Sequence, residues 1–335
     1  MSPRTRLLSA AALAAAALLA LTACASGSPS GPADTAPADT APAEGGGELT
    51  PITVGLLSIA PAAAVQYGID EGIFEEHGLD VTTQIAQGGA AMLPAVSTGQ
   101  IDFGVGNPLS VLTAASQGVD VRIASGYSFS LAEGDDINAV VTRADSGITS
   151  WKDLAGHSVS VNAVKTQGDL TIGASVKEDG GDPAAVEYIE IAFPDALAQL
   201  DAGNVDAVWI PEPFLSMALA APDKYSVVGY PNQNAIPGLP TMVTFTSGAV
   251  AEDAELVSLW REAVADTLKA ATDDREGFGQ TIAEFTGMPE AAAANLRLER
   301  LDGELDPQLI TDLSDVALEF GFLETAPDLG TVIIP

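Results

Sequence analysis

Two distant segments of the chain repeat one order of residue types. They are Gly99–Pro108 and Gly203–Pro211. Each follows a helical stretch that ends at glycine, continues through Ile or Val and then Asp, and leads an apolar strand into a loop that contains proline. One such unit is common in α/β proteins. Two of them, each closing a run of strand–helix–strand units, predict two similar α/β lobes in one chain.

The pattern around these segments alternates short apolar strands with helices. Strands are predicted at Ile52–Leu57, Leu79–Ile85, Ile101–Val105, Val121–Gly126, Val159–Val161, Val186–Ile191 and Val205–Ile210. This alternation is typical of βαβ units on mainly parallel sheets. Ligands of such sheets bind outside the carboxyl ends of the strands, so two lobes that face each other with these ends form a cleft.

Helices are predicted between the strands and in the tail. The first is expected to run from Ala62 to Glu76 without interruption. The tail is expected to be helical from about Glu252, since apolar residues recur every four positions from Leu256. Asp306 is expected to cap a last long helix, because an N-cap acid followed by proline is a helix-start signal.

The N-terminus predicts a targeting segment. Arg4 and Arg6 precede the apolar run Leu7–Leu21, which is short and alanine-rich for a membrane span. The residues Leu21–Cys24 resemble the bacterial lipobox, in which the cysteine becomes the lipidated N-terminus, palmitate included. We therefore expect residues 1–23 to be a signal peptide; a plain secretory signal with a chance cysteine is the alternative.

Residues 24–49 predict a tether between that lipid and the fold. They are rich in Ala, Pro, Gly, Ser and Asp and have little apolar surface to bury, so we expect them to be disordered. The expected location is the extracytoplasmic face of the cell membrane, with the chain anchored through Cys24. As Cys24 is the only cysteine of the chain, no internal disulfide is possible.

Composition excludes one class of partner. The formal net charge is −33 at pH 7, from 46 acidic and 13 basic residues. A body this acidic is repelled by phosphate backbones, so we expect no nucleic-acid binding. The length of 335 residues allows two lobes of ordinary size.

Four motifs in order resemble one protein family. They are Gly68–Val81, Gly88–Gly104, Trp151–His157 and Asp206–Pro213. Together they are similar to the nitrate/sulfonate/taurine and thiamine-pyrimidine branch of the type II solute-binding proteins of ABC importers. The resemblance covers nearly the whole chain after the tether.

The resemblance implies a two-lobed α/β fold of the type II periplasmic-binding-protein kind, each lobe a mainly parallel sheet flanked by helices. Lobe one would hold residues 50–140 plus 243–335 and lobe two residues 141–242, with crossover strands near 139–142 and 242–246 as hinges. The implied function is capture of a small organic molecule in the interlobe cleft and its delivery to an ABC permease with its ATPase. We expect a monomer that needs no cofactor or metal and catalyses nothing.

Candidate ligand-binding residues follow the predicted strand ends. They are Ser58, Ala60, Gly88, Gly89, Ala90, Asn107, Ser125 and Tyr127 in lobe one, and Asn162, Thr166, Trp209 and Glu212 in lobe two. The helix start after Gly88 and Gly89 can hold an oxygen of the ligand. Trp209 and Tyr127 can stack on a ring, and Glu212 can accept hydrogen bonds from an amine. The alternatives are a tight turn, a helix cap or core packing.

Basic residues are scarce in the predicted binding loops. Lys165 is the only one there, whereas a sulfonate or nitrate site would often use such a residue. This favours a neutral or cationic solute, such as a heteroaromatic one.

Other functions find less support in the sequence. The two histidines, His77 and His157, have no second histidine nearby, and no metal-ligand spacing is present. Fungal thiamine-pyrimidine synthases resemble these binding proteins but depend on His and Cys clusters that this chain lacks. A ligand-sensing module for a membrane receptor remains the third alternative.

Overall fold

The computed structural model describes residues 48–335, except for the side chain of Ala90. The expected signal peptide, the lipidation site at Cys24 and all but the last two residues of the expected tether lie outside this part of the chain. No helix between residues 48 and 335 has the length and apolar character to cross a bilayer.

Within residues 48–335 eleven strands form two sheets. The strands are β1 Thr50–Leu57, β2 Leu79–Ala86, β3 Phe103–Gly106, β4 Val121–Phe129, β5 Ala139–Arg143, β6 Ser158–Val161, β7 Glu187–Glu190, β8 Ala207–Ile210, β9 Tyr225–Gly229, β10 Pro240–Ser247 and β11 Arg300–Leu301.

Helices connect and cover these strands. The α-helices are α1 Ala63–Asp70, α2 Ile73–Glu76, α3 Gly89–Ser97, α4 Pro108–Ser116, α5 Gln167–Glu178, α6 Phe193–Asp201, α7 Phe214–Leu219, α8 Pro231–Ala235, α9 Gly248–Ala251, α10 Ala254–Asp273, α11 Arg275–Thr286, α12 Glu290–Ala293, α13 Pro307–Glu319 and α14 Leu329–Val332. Two 3-10 helices, Trp151–Leu154 and Pro183–Ala185, lie beside the second sheet.

The two sheets have related strand orders. The first sheet has the order β11-β4-β10-β3-β1-β2 and the second the order β7-β6-β8-β5-β9. In the first, β1 pairs in parallel with β2 and β3, and in the second β6 pairs in parallel with β7 and β8. β4 and β10 in the first sheet and β5 in the second run antiparallel to both of their neighbours, so each sheet is mixed.

The chain passes between the sheets twice. It leaves β4 of the first sheet and enters β5 of the second through residues 130–138, and it returns from β9 to β10 through residues 230–239. β5 and β10 are therefore the strands that receive the chain from the other sheet. Each of them pairs within one sheet only.

The core of the first lobe is centred on a tryptophan of α10. The ring of Trp260 is fully buried and stacks on Phe103 of β3, with ring centroids 4.4 Å apart and an interplanar angle of 11°. The Trp260 indole N–H also donates a hydrogen bond to Thr244 Oγ1 at 3.2 Å. The predicted apolar stripe of the tail thus packs against the sheet.

Two helix predictions have different outcomes. The single helix predicted from Ala62 to Glu76 is wrong, because Gly72 adopts a left-handed conformation with a φ of 74° and separates α1 from α2. The predicted cap at Asp306 is confirmed: its side chain accepts a hydrogen bond from the Gln308 amide at 2.9 Å, and α13 begins at Pro307.

Candidate functional site

A cavity of about 50 Å³ lies between the two sheets. The first sheet, the residues that lead to it and the crossover segments contribute Leu57, Ile59, Pro61, Gly106, Asn107, Ile137, Asn138, Thr241, Met242 and Glu299. The second sheet and its helices contribute Asn162, Gln167, Phe193, Trp209, Pro211 and Asn232. Both halves of the fold therefore form its wall.

The position of this cavity follows from the strand directions. Leu57 ends β1 and Gly106 ends β3, whereas Asn162 and Pro211 directly follow β6 and β8. β1 runs parallel to β3, and β6 runs parallel to β8, so the carboxyl ends of these strands meet at the cavity from both sheets. This is the place where open α/β sheets bind ligands.

Five of the sequence-predicted residues come together here. Asn107, Asn162 and Trp209 line the cavity. Gly88 and Gly89 border it: a Cβ atom at Gly88 would lie 3.4 Å from Asn162 Nδ2, and one at Gly89 would lie 3.2 Å from the Asn107 amide nitrogen. Asn107 also caps α4, because its Oδ1 accepts a hydrogen bond from the Ser110 amide at 2.9 Å.

Three other predicted residues lie in the loop after β1 or in α3. Ser58 follows β1 directly, and it is exposed and absent from the cavity wall. Ala60 is buried, and its backbone N–H donates a hydrogen bond to the Glu212 carbonyl oxygen at 3.4 Å. Ala90 lies in the first turn of α3, and its side chain is outside the described part of the structure.

Ser125 and Tyr127 of β4 have partners within the first lobe. Ser125 Oγ lies 2.7 Å from Thr244 Oγ1 in a buried hydrogen bond. Tyr127 is fully buried and donates a hydrogen bond from its hydroxyl to the Pro61 carbonyl oxygen at 3.0 Å. Burial also raises the pKa of Tyr127. Neither residue is part of the cavity wall.

Thr166 and Glu212 lie at the starts of two helices in the second lobe. Thr166 is the N-cap of α5, and its hydroxyl donates a hydrogen bond to the Ala163 carbonyl oxygen at 2.9 Å. The Glu212 carboxylate accepts hydrogen bonds from the Ser216 amide and hydroxyl, each at 2.9 Å. Burial raises the pKa of Glu212. Both side chains lie outside the cavity wall, and only the Glu212 backbone reaches across to Ala60.

Sequence reasoning missed a buried acid in the wall. Glu299, just before β11, is only 7% exposed. Its Oε1 accepts a hydrogen bond from Asn138 Nδ2 at 2.9 Å, and its Oε2 accepts one from Thr241 Oγ1 at 2.7 Å. Burial raises the pKa of Glu299 to about 7, and the neighbouring acid Asp136 adds to this shift. No local sequence signal distinguishes Glu299 from the surface acids around it.

Two polar atoms in the wall are buried and lack a hydrogen-bond partner within residues 48–335. They are Gln167 Oε1 and Trp209 Nε1. The other end of the Gln167 amide is fixed, because its Nε2 donates a hydrogen bond to the Pro240 carbonyl oxygen at 3.1 Å. Trp209 makes an edge contact with Phe193, with ring centroids 5.7 Å apart. The described part of the wall thus has one buried acceptor and one buried donor without a partner, beside two aromatic rings.

The described part of the cavity wall contains one charged side chain, and it is acidic. Glu299 is the only charged side chain among the described residues that line the cavity. Both histidines lie elsewhere: His77 is 2.9 Å from Asp266, and His157 is 3.4 Å from Asp206. In residues 48–335 no group of three or more His, Cys, Asp or Glu side chains is placed to hold a metal ion.

The sequence matches a family model described as NMT1/THI5 like over residues 62–277, which is more than half of the chain. Among curated proteins, a Brucella abortus protein described as a binding protein is 25% identical over 144 residues. That alignment covers 42% of this chain and 42% of the Brucella protein, so the match spans less than half of its length.

Solved structures share the fold. The alkanesulfonate-binding protein SsuA from Xanthomonas axonopodis pv. citri superposes with a TM-score of 0.72 at 18% identity, over 86% of this chain and 99% of that one. The desulfurization enzyme DSZB superposes with a TM-score of 0.62 at 16% identity, over 85% and 96% of the two chains. The predicted two-lobed type II periplasmic-binding-protein fold is thereby confirmed.

Proposed function

This chain belongs to the NMT1/THI5-like family, and from that membership we propose that it is the extracytoplasmic solute-binding protein of an ABC importer. The observation that carries the proposal is the cavity between the two sheets, whose wall both halves of the fold supply at their facing strand ends. A ligand held there contacts both lobes at once. It therefore stabilises the state in which the lobes are closed on each other.

The size of the cavity supports a mechanism of closure. A volume of about 50 Å³ has room for a few water molecules, so an organic solute needs the lobes farther apart than they stand here. The solute enters when the lobes open and is retained when they close around it. The proposed lobes are about residues 50–140 plus 243–335 and residues 141–242, with the bounds moved by a few residues so that β5 stays whole in the second sheet and β10 in the first. Because β5 and β10 each pair within one sheet, the hinges are proposed in the connecting segments 130–138 and 230–239 and not in the strands near 139–142 and 242–246.

The proposed ligand contacts come from both sides of the cavity. Asn107 and the helix start at Gly88 and Gly89 would bind from lobe one, and Asn162 and Trp209 from lobe two. Asn107 Oδ1 is engaged as a helix cap, so its Nδ2 group is the part that would meet the ligand. The amides and the indole allow both hydrogen bonding and stacking.

The proposed location of this function is the extracytoplasmic face of the cell membrane. The lipobox-like segment that ends at Cys24 and the polar segment 24–49 support a lipid anchor and a tether that let a monomer reach an ABC permease and its ATPase. Alkaline hydrolysis of the purified full chain, with mass spectrometry of the released fatty acids and of the peptide that contains Cys24, tests the anchor.

Binding and closure can be measured on the full chain. The screen uses small organic cations, anions including alkanesulfonates and nitrate, and neutral compounds, with thermal unfolding as the readout. A compound at 100 times its Kd should stabilise the fold by about 2.7 kcal/mol, which raises the Tm by about 4–5 °C for a protein of this size.

A hit is then examined by small-angle X-ray scattering for a smaller radius of gyration. Trp209→Ala should abolish the shift in Tm. If no compound of any charge class binds, or if binders leave the lobes as open as before, the proposed function is contradicted.

The main rival is an enzyme on the same fold, because the desulfurization enzyme shares it. We propose binding rather than catalysis, since the cavity wall holds a single acid, Glu299, and neither histidine. General acid–base catalysis needs a titratable group within hydrogen-bond reach of the substrate, and Glu299 is the one such side chain among the described residues of the wall. Mass spectrometry of each hit after prolonged incubation checks this: recovery of unchanged compound is expected, and turnover would favour the rival.

A further inference from the structure

We propose that the cavity selects an organic cation, whose N–H groups bind the Glu299 carboxylate, and that it rejects anions. This inference rests on the proposed function and names the solute class of the same site. A protonated amine or an amidinium is the chemistry that fits.

The first argument is the geometry of Glu299. The side chain is almost fully buried and forms part of the cavity wall. Its two oxygens accept one hydrogen bond each, from Asn138 and from Thr241. An ionised carboxylate has about four acceptor positions, so roughly two remain for a ligand. The two neutral donors hold the carboxylate in a fixed orientation without neutralising it.

The second argument is the absence of a counter-charge. No Lys, Arg or His of the described residues lines this cavity. The two arginines nearest in sequence are engaged elsewhere: Arg297 pairs with Asp135 at 2.9 Å, and Arg300 pairs with Asp302 at 2.6 Å. A buried carboxylate without a cation is costly, and a cationic ligand removes that cost. An anion would instead meet a like charge.

The third argument concerns the other polar atoms of the wall. Gln167 Oε1 is a buried acceptor without a partner, so the wall offers a second place for an N–H group of the ligand. The rings of Trp209 and Phe193 stand in the same wall, and aromatic faces attract cations. Two acceptors beside two aromatic rings suit a small cation with several N–H donors. A sulfonate carries only acceptors and would find donors here in Trp209 Nε1 and in the amides of Asn107 and Asn162, so it is the like charge of Glu299 that disfavours it.

The test uses isosteric pairs of opposite charge. Acetamidine is compared with acetate, and benzamidine with benzoate, by isothermal titration calorimetry on the full chain at pH 8. Ethylammonium and methanesulfonate are added as a third pair, which is opposite in charge but not matched in shape. The cation of each pair should bind about 100-fold more tightly than its anion, since like-charge contacts cost several kcal/mol.

Glu299→Gln should weaken binding of the cations about 10-fold or more, because one charge-assisted contact is lost. Glu212→Gln is the matched control: it also replaces a buried glutamate, but its carboxylate binds Ser216 outside the cavity. It should leave the affinity within about twofold.

Preference for an anion, equal binding of both charges, or no binding of any cation overturns the inference. The comparison within the unaltered chain holds even if a variant fails to fold. A sulfonate or carboxylate that binds and closes the lobes would leave the proposed importer function standing while removing the cation assignment. Absence of any binder would remove both.

Discussion

Gly168 lies beneath the indole ring of Trp209, so close that a Cβ atom at Gly168 would stand 2.6 Å from Trp209 Cε3. Gly168 is in the first turn of α5, and Trp209 is the third residue of β8. The missing side chain lets the helix approach the strand and leaves the ring flat against it. The place of the indole in the cavity wall thus depends on a glycine in another element.

Gly168→Ala should therefore displace the ring. We expect a loss of about 1–3 kcal/mol in the free energy of unfolding, because the methyl group meets a rigid ring and not the end of a flexible side chain. The measurement is urea unfolding. Gly173→Ala in the same helix is the control: its Cβ would lie 3.6 Å from Phe320, and it should gain about 0.5–1 kcal/mol from helix propensity. Equal effects of both variants would contradict this account.

The polar groups of Tyr127 and Trp209 differ in whether they have a hydrogen-bond partner. The Tyr127 hydroxyl donates to the Pro61 carbonyl oxygen, which also accepts from the Ala64 amide at 3.1 Å. Tyr127→Phe should therefore cost about 0.5–1.5 kcal/mol, the net contribution of the one hydrogen bond that is lost. Trp209 Nε1 has no partner among the described residues, so Trp209→Phe should lose packing but no hydrogen bond.

Urea unfolding measures the stability of Tyr127→Phe and Trp209→Phe. Trp209→Ala is the reference that removes the whole ring, so that the contribution of packing can be separated from that of a hydrogen bond. Trp209→Ala should cost about 3–5 kcal/mol. Trp209→Phe should cost clearly less than that, and a cost as large as that of the alanine variant would mean that the indole N–H is bonded after all.

Gly106 and Gly89 bring two elements of lobe one together at the edge of the cavity. A Cβ at Gly106 would lie 2.9 Å from the Gly89 Cα, which is backbone and cannot rotate away. Gly106→Ala should destabilise the fold by about 1–3 kcal/mol. Gly88→Ala is the control, since its Cβ would make an ordinary contact of 3.4 Å with Asn162; its Tm should stay near that of the unaltered chain.

Much of the fold could be predicted because its signals are local. Runs of β-branched residues and glycines after helices predicted seven of the eleven strands between residues 48 and 335 and many of the helices; β5 and β10 were expected only from the family resemblance, and β9 and β11 were not predicted. The break between α1 and α2 was missed, since the apolar spacing continues across Gly72 and only its φ of 74° ends the helix. A glycine inside a helical pattern does not by itself reveal that conformation.

The site could be predicted only in part. Strand ends located Asn107, Asn162 and Trp209, because the carboxyl ends of parallel strands converge in this class of fold. Ser125 and Tyr127 lie on one strand at alternate positions, and both turn into the core of the first lobe. The sequence does not state which face of β4 is inside.

Glu299 could not be predicted as a cavity residue, and the reason is different. Its hydrogen-bond partner Asn138 is 161 residues away along the chain, and the tail must pack back across β4 to join them. Long-range packing of this kind leaves no local pattern in the sequence. In a segment rich in exposed acids, the sequence alone does not distinguish a buried acid from a surface charge.

Because the pKa of Glu299 is raised in the folded chain, the free energy of unfolding should depend on pH. The folded-state pKa is about 7, whereas a glutamate in an unfolded chain titrates near ~4.3. Between these values the folded state keeps a proton that the unfolded state has released. Its contribution to stability is therefore complete below ~4.3 and is lost as the pH rises through about 7. Burial also raises the pKa of Asp136, which acts in the same direction.

Urea unfolding at pH 5 and pH 8 should show that the unaltered chain is less stable at pH 8. Glu299→Gln should reduce this difference by a few kcal/mol at most, since each pKa unit corresponds to about 1.4 kcal/mol, and it should exceed the unaltered chain in stability at pH 8. Asp153, Asp201 and Asp206 have lowered pKa values from their hydrogen bonds and ion pairs, so they stay ionised throughout this range and affect both proteins equally. An unchanged pH dependence in Glu299→Gln would mean that Glu299 is ionised in the folded chain already at pH 5, which would place a compensating positive charge beside it.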